Sequence, residues 1–280
     1  MNPGNAETII QRVAIALDAC LQSSQALQAA AEMAASLQAE LEGIFIEDIN
    51  LIRLAELPFT REIRPASMTE ETVDVQRMEQ ELRSLARQQQ QKLELVAREK
   101  GISCSFRIRR GQIKAELMNA VTEVDVLTLC RPVHMSGMFG RETIRYSMPA
   151  AASLIQQAKS SVSVIFGSAQ NEKNALLAAA RLAGRLDTDI SVLLTADSVV
   201  ETDDLQREAE TILQPQTQPV NYIRLPGKQI SDLVIATVSS NSQVLLVNSN
   251  NTLVTGGQLW PYLEQVFCPV LIVREQPAAS

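Results

Sequence analysis

The chain has 280 residues, of which 46% are hydrophobic, and a formal charge of −7 at pH 7. This length suits one large or two modest domains, each able to bury its own core. The acidic balance argues against a nucleic-acid-binding surface, which normally has a basic excess. No apolar run approaches the roughly 18 residues that a membrane span needs. A single histidine excludes a His-rich metal site, and we expect no metal.

The first residues show neither the basic nor the apolar region of a signal peptide. The four cysteines are scattered without CxxC spacing, which is typical of small buried thiols in a reducing compartment. We therefore expect a cytoplasmic protein.

Two segments of the chain repeat one pattern at a constant offset of 149 residues. Each copy, over 13–48 and 162–197, reads as a strand, a long Ala-rich helix and a second strand. The offset aligns Leu27 with Leu176, Ala30 with Ala179, Ala34 with Ala183, Leu37 with Leu186 and Asp48 with Asp197.

Period-two or continuous apolar runs predict strands throughout the chain. They lie at about 12–17, 41–46, 103–108, 124–129, 162–166, 189–195, 219–224, 243–247 and 269–273. Helices are predicted over 22–38, 70–99 and 148–159. This alternation implies right-handed βαβ units. We therefore predict an α/β protein with two tandem Rossmann-like open sheets, mainly parallel, with helices on both faces and domains at 1–160 and 161–280.

Two segments depart from this regular pattern. The helix over 70–99 has a single apolar stripe, which favours a helix that covers one sheet face over a coiled coil. The segment 49–67 has two prolines and no clear period, and it is predicted to be one long irregular connection.

The join between the copies leaves one strand with two possible positions. The strand 162–166 could open the second copy or close the first one. We assign it to the second sheet, which leaves the first sheet one strand short.

Common enzyme signatures are missing from the sequence. It contains no GxxxxGK[ST] loop, no GxGxxG after a strand and no GxSxG elbow. His134 follows a strand and is expected to be a solvent-exposed loop residue. The sequence favours a protein that is not an enzyme.

The order of elements resembles the universal stress protein fold. The opening VAIALDACLQSSQAL is similar to the family's strand followed by an aspartate, which puts Asp18 in the family's acidic position. RRGQIKAELMNAVTEVDVLTLC and LPGKQISDLVIATVSSNSQVLLVN resemble its Gly-led helix and buried strand, and FCPVLIVRE resembles its closing Cys-Pro-Val strand. The resemblance covers nearly the whole chain as a tandem arrangement. It implies a stress-response or signalling role and a homodimer formed through an apolar edge strand at 270–273.

In the nucleotide-binding branch of that family, the loop after the fourth strand reads G-x2-G-x9-G-[ST], so that backbone N–H groups reach phosphates. Here Gly137 and Gly140 match, but Ala150 and Ala151 replace the last glycine and the hydroxyl residue. Nearby arginines could compensate through charge-assisted phosphate contacts, or they could be solvated surface residues. The site for ATP or another adenine nucleotide is predicted at Leu17, Asp18, Ala19, Cys130, Arg131, Gly137, Gly140 and Arg141.

The second copy is further from the nucleotide-binding pattern. Gly167 and Ser168 replace the aspartate opening, and Gly256 and Gly257 are adjacent instead of spaced. We expect this half to be structural or dimerising.

A basic run on and after the third strand could attract an anion. By the family's strand order this strand lies at a sheet edge, where charges discourage edge-to-edge pairing. The run comprises Arg107, Arg109, Arg110 and Lys114.

Three functions remain open. The first is a non-enzymatic universal stress-type protein that binds an adenine nucleotide in its first half. The second is a scaffold for an unidentified protein partner, with both nucleotide sites lost. The third, an ATP-hydrolysing enzyme of the wider nucleotide α-hydrolase-like superfamily, is least favoured because LDACLQSSQ and FGSAQNEKN lack the HxGH or SGGxDS motifs.

Overall fold

A computed structural model describes residues 10–17, 23–57, 61–64, 69–72, 75–129, 160–167, 172–196, 198–226 and 229–275. The first half contains β1 (Arg12–Leu17), α1 (Ser23–Leu37), β2 (Glu40–Asp48), α2 (Ile49–Ala55), β3 (Arg61–Arg64), β4 (Thr69–Thr72), α3 (Val75–Lys100), β5 (Cys104–Gly111), α4 (Ile113–Glu123) and β6 (Val126–Leu129). The second half contains β7 (Ser161–Gly167), α5 (Lys173–Leu186), β8 (Asp189–Ala196), α6 (Val199–Leu213), β9 (Val220–Pro226), α7 (Ile230–Ser239), β10 (Ser242–Asn248), α8 (Thr252–Thr255), α9 (Leu259–Leu263) and β11 (Val270–Val273).

Nine of the strands form one continuous sheet in the order β5-β2-β1-β6-β11-β10-β7-β8-β9. Neighbouring strands are parallel except β6 and β11, which pair antiparallel with Val270 opposite Leu129. The α/β class is therefore confirmed, and the sheets of the two halves meet edge to edge at the β6–β11 pair, which we call the seam.

Helices cover both faces of the sheet. α1, α3, α5 and α6 pack on one face, and α4, α7, α8 and α9 pack on the other. The apolar strands between them are buried on both sides, which explains why continuous apolar runs locate them in the sequence. The central helices α1 and α5 contact each other, and their alanines bring both helices close to the sheet.

The strand 162–166 belongs to the second half, because β7 pairs with β8 and β10. This prediction is confirmed. The expectation that 270–273 forms an apolar edge is wrong, because β11 has β10 on one side and β6 on the other. The first half is one strand short beside β6, and β11 fills that position. The strand therefore offers no free edge for the expected homodimer.

The region after β2 is more ordered than the sequence suggests. Instead of one irregular connection, 49–67 contains the helix α2 and the strand β3, and β3 pairs antiparallel with β4. The predicted helix at 70–99 therefore begins later, at Val75. The β-branched threonines at both ends of β4 favour the extended conformation. The predicted helix at 148–159 lies outside the described residues.

The long helix α3 covers a sheet face, as its single apolar stripe predicts. Its buried residues include Leu82, Leu93 and Val96, and it packs on β2, β5 and α1. Gln89, within the glutamine run, is also buried in this contact.

Charged side chains tie the two halves together beside the sheet. Glu32 of α1 forms ion pairs with Lys100 and, across the halves, with Arg185, whose Nε lies 2.9 Å away. Burial acts to raise the pKa of Glu32, but these two cations together hold it below its ordinary value.

The basic run on β5 lies on an outer edge of the sheet, as predicted. Each of its three arginines is paired with a glutamate of a neighbouring element: Arg107 with Glu42 and Glu123, Arg109 with Glu116 and Glu123, and Arg110 with Glu47 and Glu79. The hydrogen bond from Arg109 lowers the pKa of Glu123. These three arginines therefore form ion pairs along the sheet edge and do not make an open anion site.

Candidate functional site

The first half has a topological switch point between β1 and β6. The chain leaves β1 through α1 on one face and enters β6 from α4 on the other face. Ligands of open α/β sheets bind in the crevice that this divergence creates at the carboxyl ends of the strands.

A cavity of about 360 Å³ lies at this end of the sheet. The volume falls within the range of small-molecule sites, roughly 300–1,000 Å³. Its apolar walls are Ala16, Leu17, Ile46, Ile113, Leu117, Leu129, Trp260 and Leu263. Its polar groups are Asp48, Asn50, Gln112, Lys114 and Glu264.

Two polar groups of the cavity are held in place by neighbouring residues. The Asp48 carboxylate caps α2 by accepting a hydrogen bond of 2.9 Å from the Asn50 N–H. The Lys114 ammonium lies 5.7 Å from the centre of the Trp260 ring, within cation–π range. The cavity thus combines an apolar interior with an acceptor and a cation.

The second half supplies one wall of this first-half cavity. Because β11 runs antiparallel to β6, its first residue lies beside the last residue of β6. The helix α9, just before β11, therefore lies over the carboxyl end of β6. It presents Trp260 and Leu263 to the cavity, together with Glu264 at its C-terminal end. Sequence reasoning missed these residues, since nothing in the chain shows which strand edge β11 occupies.

Of the predicted nucleotide-binding residues, the structure describes Leu17, which is buried and lines the cavity. The others lie outside the described residues: Asp18, Ala19, Cys130, Arg131, Gly137, Gly140 and Arg141. His134 also lies outside them. Asp48 was visible in the sequence as an aspartate shared by both copies, and the carboxyl end of a parallel strand is where such a residue can meet a ligand.

A second cavity, of about 570 Å³, lies on the opposite face between α1 and α5. Its lining comes from these helices and from residues at or before the starts of β10 and β11, and includes the exposed Phe267. None of its lining residues belongs to β1, β2 or β6. The first cavity is therefore the better candidate site.

The corresponding crevice of the second half holds a carboxylate of the chain itself. Glu172 is only 2% exposed. It accepts hydrogen bonds from the Gly167 N–H and, at 2.7 Å, from Nδ2 of Asn251. Burial raises the pKa of Glu172, against these two hydrogen bonds, which lower it.

Gly167 is required at this position by close packing. A Cβ atom there would lie 2.7 Å from Oγ1 of Thr195 and 3.2 Å from its carbonyl oxygen. An aspartate like the one that opens the first copy would not fit here.

The described ranges contain neither a cluster of metal ligands nor a membrane-spanning helix. No three His, Cys, Asp or Glu side chains in them come together as metal ligands. None of the helices in those ranges is long and apolar enough to cross a membrane.

No protein-family model and no curated protein matches the sequence. Solved structures match over nearly the whole chain. A universal stress protein from Archaeoglobus fulgidus DSM 4304 has 12% identity and a TM-score of 0.52, with 95% of this chain and 97% of that chain covered. A Pseudomonas aeruginosa UCBPP-PA14 protein described as a universal stress protein has 12% identity and a TM-score of 0.48, covering 95% and 93%. The cytoplasmic domain of a prokaryotic cation chloride cotransporter has 9% identity and a TM-score of 0.45, covering 94% and 95%. The match to the Archaeoglobus fulgidus protein shows that the chain has the α/β fold of the universal stress proteins, the resemblance that its order of strands and helices predicts.

Proposed function

We propose that this chain is a non-enzymatic stress-response or signalling protein of the universal stress type that binds ATP or another adenine nucleotide in its first half. The observation that carries the proposal is the cavity at the carboxyl ends of β1, β2 and β6, at the switch point of the sheet.

The lining of the cavity suits a nucleoside. A flat adenine ring can pack among Leu17, Leu117 and Trp260, where apolar area is removed from water. The second oxygen of the Asp48 carboxylate can accept a hydrogen bond from a ribose hydroxyl. Lys114 supplies a cation for a phosphate.

The polar groups of this cavity favour binding over hydrolysis. Its carboxylates are Asp48, which already caps α2, and Glu264, the residue after the second half's α9. One oxygen of the Asp48 carboxylate is already engaged by the Asn50 N–H, which makes this carboxylate a weaker general base. We therefore propose that the protein is not an enzyme.

A thermal-shift assay with ATP, ADP and AMP tests the nucleotide proposal. A ligand present at 100 times its Kd stabilises the folded protein by about 2.7 kcal/mol. No shift with any of the three nucleotides at millimolar concentration would overturn it.

Variants of the cavity locate the site. We expect Trp260→Ala and Leu117→Trp to abolish the nucleotide-induced shift, because one removes a wall and the other fills the interior. Lys114→Gln should weaken ATP more than AMP, because it removes a phosphate-facing charge. Lys92→Gln, on the exposed face of α3, is the matched control and should bind as the parent does.

The glycine loop gives a second test. Gly137→Val and Gly140→Val should abolish binding without lowering the melting temperature of the free protein. Binding that survives both changes would remove the loop from the site.

The scaffold alternative is favoured by one observation, the carboxylate that fills the second crevice. This alternative predicts that no nucleotide raises the melting temperature of the protein. It also predicts that the intact chain retains a protein partner.

Cytoplasmic location and self-association remain proposals. Cys104 and Cys268 are free thiols, which suits a reducing compartment. Because β11 is paired on both sides, a homodimer would use another surface. Light scattering at tens of micromolar chain measures the oligomeric state.

A further inference from the structure

The Glu172 carboxylate has both oxygens engaged within the protein. One accepts from the Gly167 N–H and the other from Asn251 Nδ2. Gly167 ends β7, and Asn251 follows β10. These strands are neighbours, and they are the second half's equivalents of β1 and β6. The carboxylate therefore occupies the switch point of the second half, where a ligand would enter.

The two donors are positioned independently of Glu172. Oδ1 of Asn251 accepts a hydrogen bond of 2.9 Å from the Leu253 N–H, so its amide NH2 must point the other way, toward the crevice. Gly167 is held by its pairing with Thr195 in the sheet and has no room for a side chain. Both donors are thus held by contacts of their own and converge on one carboxylate group.

The first copy lacks this arrangement. The offset of 149 residues places Ser23 opposite Glu172 and Asp18 opposite Gly167. The first copy has its acidic residue, Asp18, just after the strand, whereas the second copy has Glu172 just before the helix. The Glu172 side chain turns back into the crevice between β7 and β10.

We infer that the second half contains a carboxylate-binding cradle, made by the Gly167 N–H and the Asn251 side-chain amide, with Glu172 as its built-in ligand. The bound carboxyl group closes this crevice to phosphates, which would have to displace the buried Glu172 side chain. Glu275, which accepts a hydrogen bond of 3.2 Å from Asn248 Nδ2, is near enough to raise the pKa of Glu172 by charge repulsion. Where the proposed function holds, each chain binds one nucleotide, in its first half.

Removing the built-in ligand tests the cradle directly. Glu172→Ala leaves two buried donors and a space the size of a carboxylate group. We expect its melting temperature to fall below that of the parent, and sodium formate at high millimolar concentration to recover part of the loss. Sodium chloride at the same ionic strength should recover none.

The matched control is Asp204→Ala, which makes the same charge change on the exposed surface of α6. It and the parent should respond equally to formate and chloride. Adding Asn251→Ala to Glu172→Ala should abolish the formate response, because one of the two donors is lost. A formate response in Glu172→Ala no larger than in the control would overturn the inference.

The test holds even if Glu172→Ala does not fold in chloride. In that case formate should restore its native circular dichroism, and failure to do so would count equally against the cradle. The experiment contains no nucleotide, so a failed nucleotide assay and a failed formate assay are distinguishable. Titration of the parent with ATP by calorimetry should give one site per chain, and two sites would contradict closure of the second crevice.

Discussion

Asp125 joins three segments beside the seam, and its removal should show how strongly the halves are held together. Its Oδ2 accepts from the Gln11 and Arg12 N–H groups at 2.9 and 3.1 Å. Its Oδ1 accepts from Nη2 of Arg274, just after β11, at 2.6 Å. A single carboxylate therefore connects the starts of β1 and β6 with the end of the last strand.

The expected cost of Asp125→Ala follows from these contacts. Two partly buried backbone N–H groups lose their acceptor, at about 1 kcal/mol each. The Arg274 side chain is 33% exposed, so its ion pair contributes no more than about 1 kcal/mol. We expect a loss of about 2–3 kcal/mol in the free energy of unfolding. Asp125→Asn keeps a neutral acceptor and should lose only about 1 kcal/mol.

Urea denaturation measures both losses. Circular dichroism reports on all helices, while the fluorescence of Trp260, the chain's single tryptophan, reports on the seam side of the second half. Coincident transitions by the two probes would justify a two-state free energy. Asp204→Ala is the surface control and should change stability by less than about 0.5 kcal/mol. The reasoning is refuted if Asp125→Ala costs no more than this control, or no more than Asp125→Asn.

Three further changes test the interior. Gly167→Ala should destabilise the protein by about 1–3 kcal/mol, measured by urea unfolding, because its Cβ would overlap the Thr195 hydroxyl; an unchanged midpoint would contradict the close packing. Leu176→Ala removes a fully buried side chain of α5 and should cost about 2–5 kcal/mol in the same assay, and a cost below about 1 kcal/mol would mean that the site collapses. The pKa of Glu172 in the folded protein is raised. The stability that the protonated side chain contributes is therefore complete below its unfolded pKa of about 4.3, and it is lost as pH rises through the folded pKa. The carboxylates that raise this pKa further are Glu275 and Glu208. The melting temperature of the parent minus that of Glu172→Gln should therefore fall as pH rises above about 4.3, and a rising difference would reverse the sign of the argument.

The strands could be predicted closely from the sequence because burial on both faces leaves continuous apolar runs. For example, β1 spans Arg12–Leu17 as predicted, and the other eight strands of the nine-stranded sheet agree within a few residues at each end. The single apolar stripe of α3 likewise predicted its position over the sheet.

The site depends on contacts between distant parts of the chain, which no local pattern reveals. Trp260 reaches the first-half cavity only because β11 fills the edge beside β6. Glu172 looks in sequence like an exposed charge before a helix. Its burial depends on Asn251, 79 residues further on. The hairpin of β3 and β4 was not predicted because its strands, REIR and TEET, are almost entirely polar and contain no apolar run.

The antiparallel seam also changes how concentration acts on this protein. A contact between separate chains obeys mass action and weakens on dilution. Here both partners are tethered on one chain, so the effective concentration of each half at the other does not depend on how much protein is present. Dilution cannot part the halves, and a substitution at the seam should appear as a loss of folding stability instead of a change in assembly.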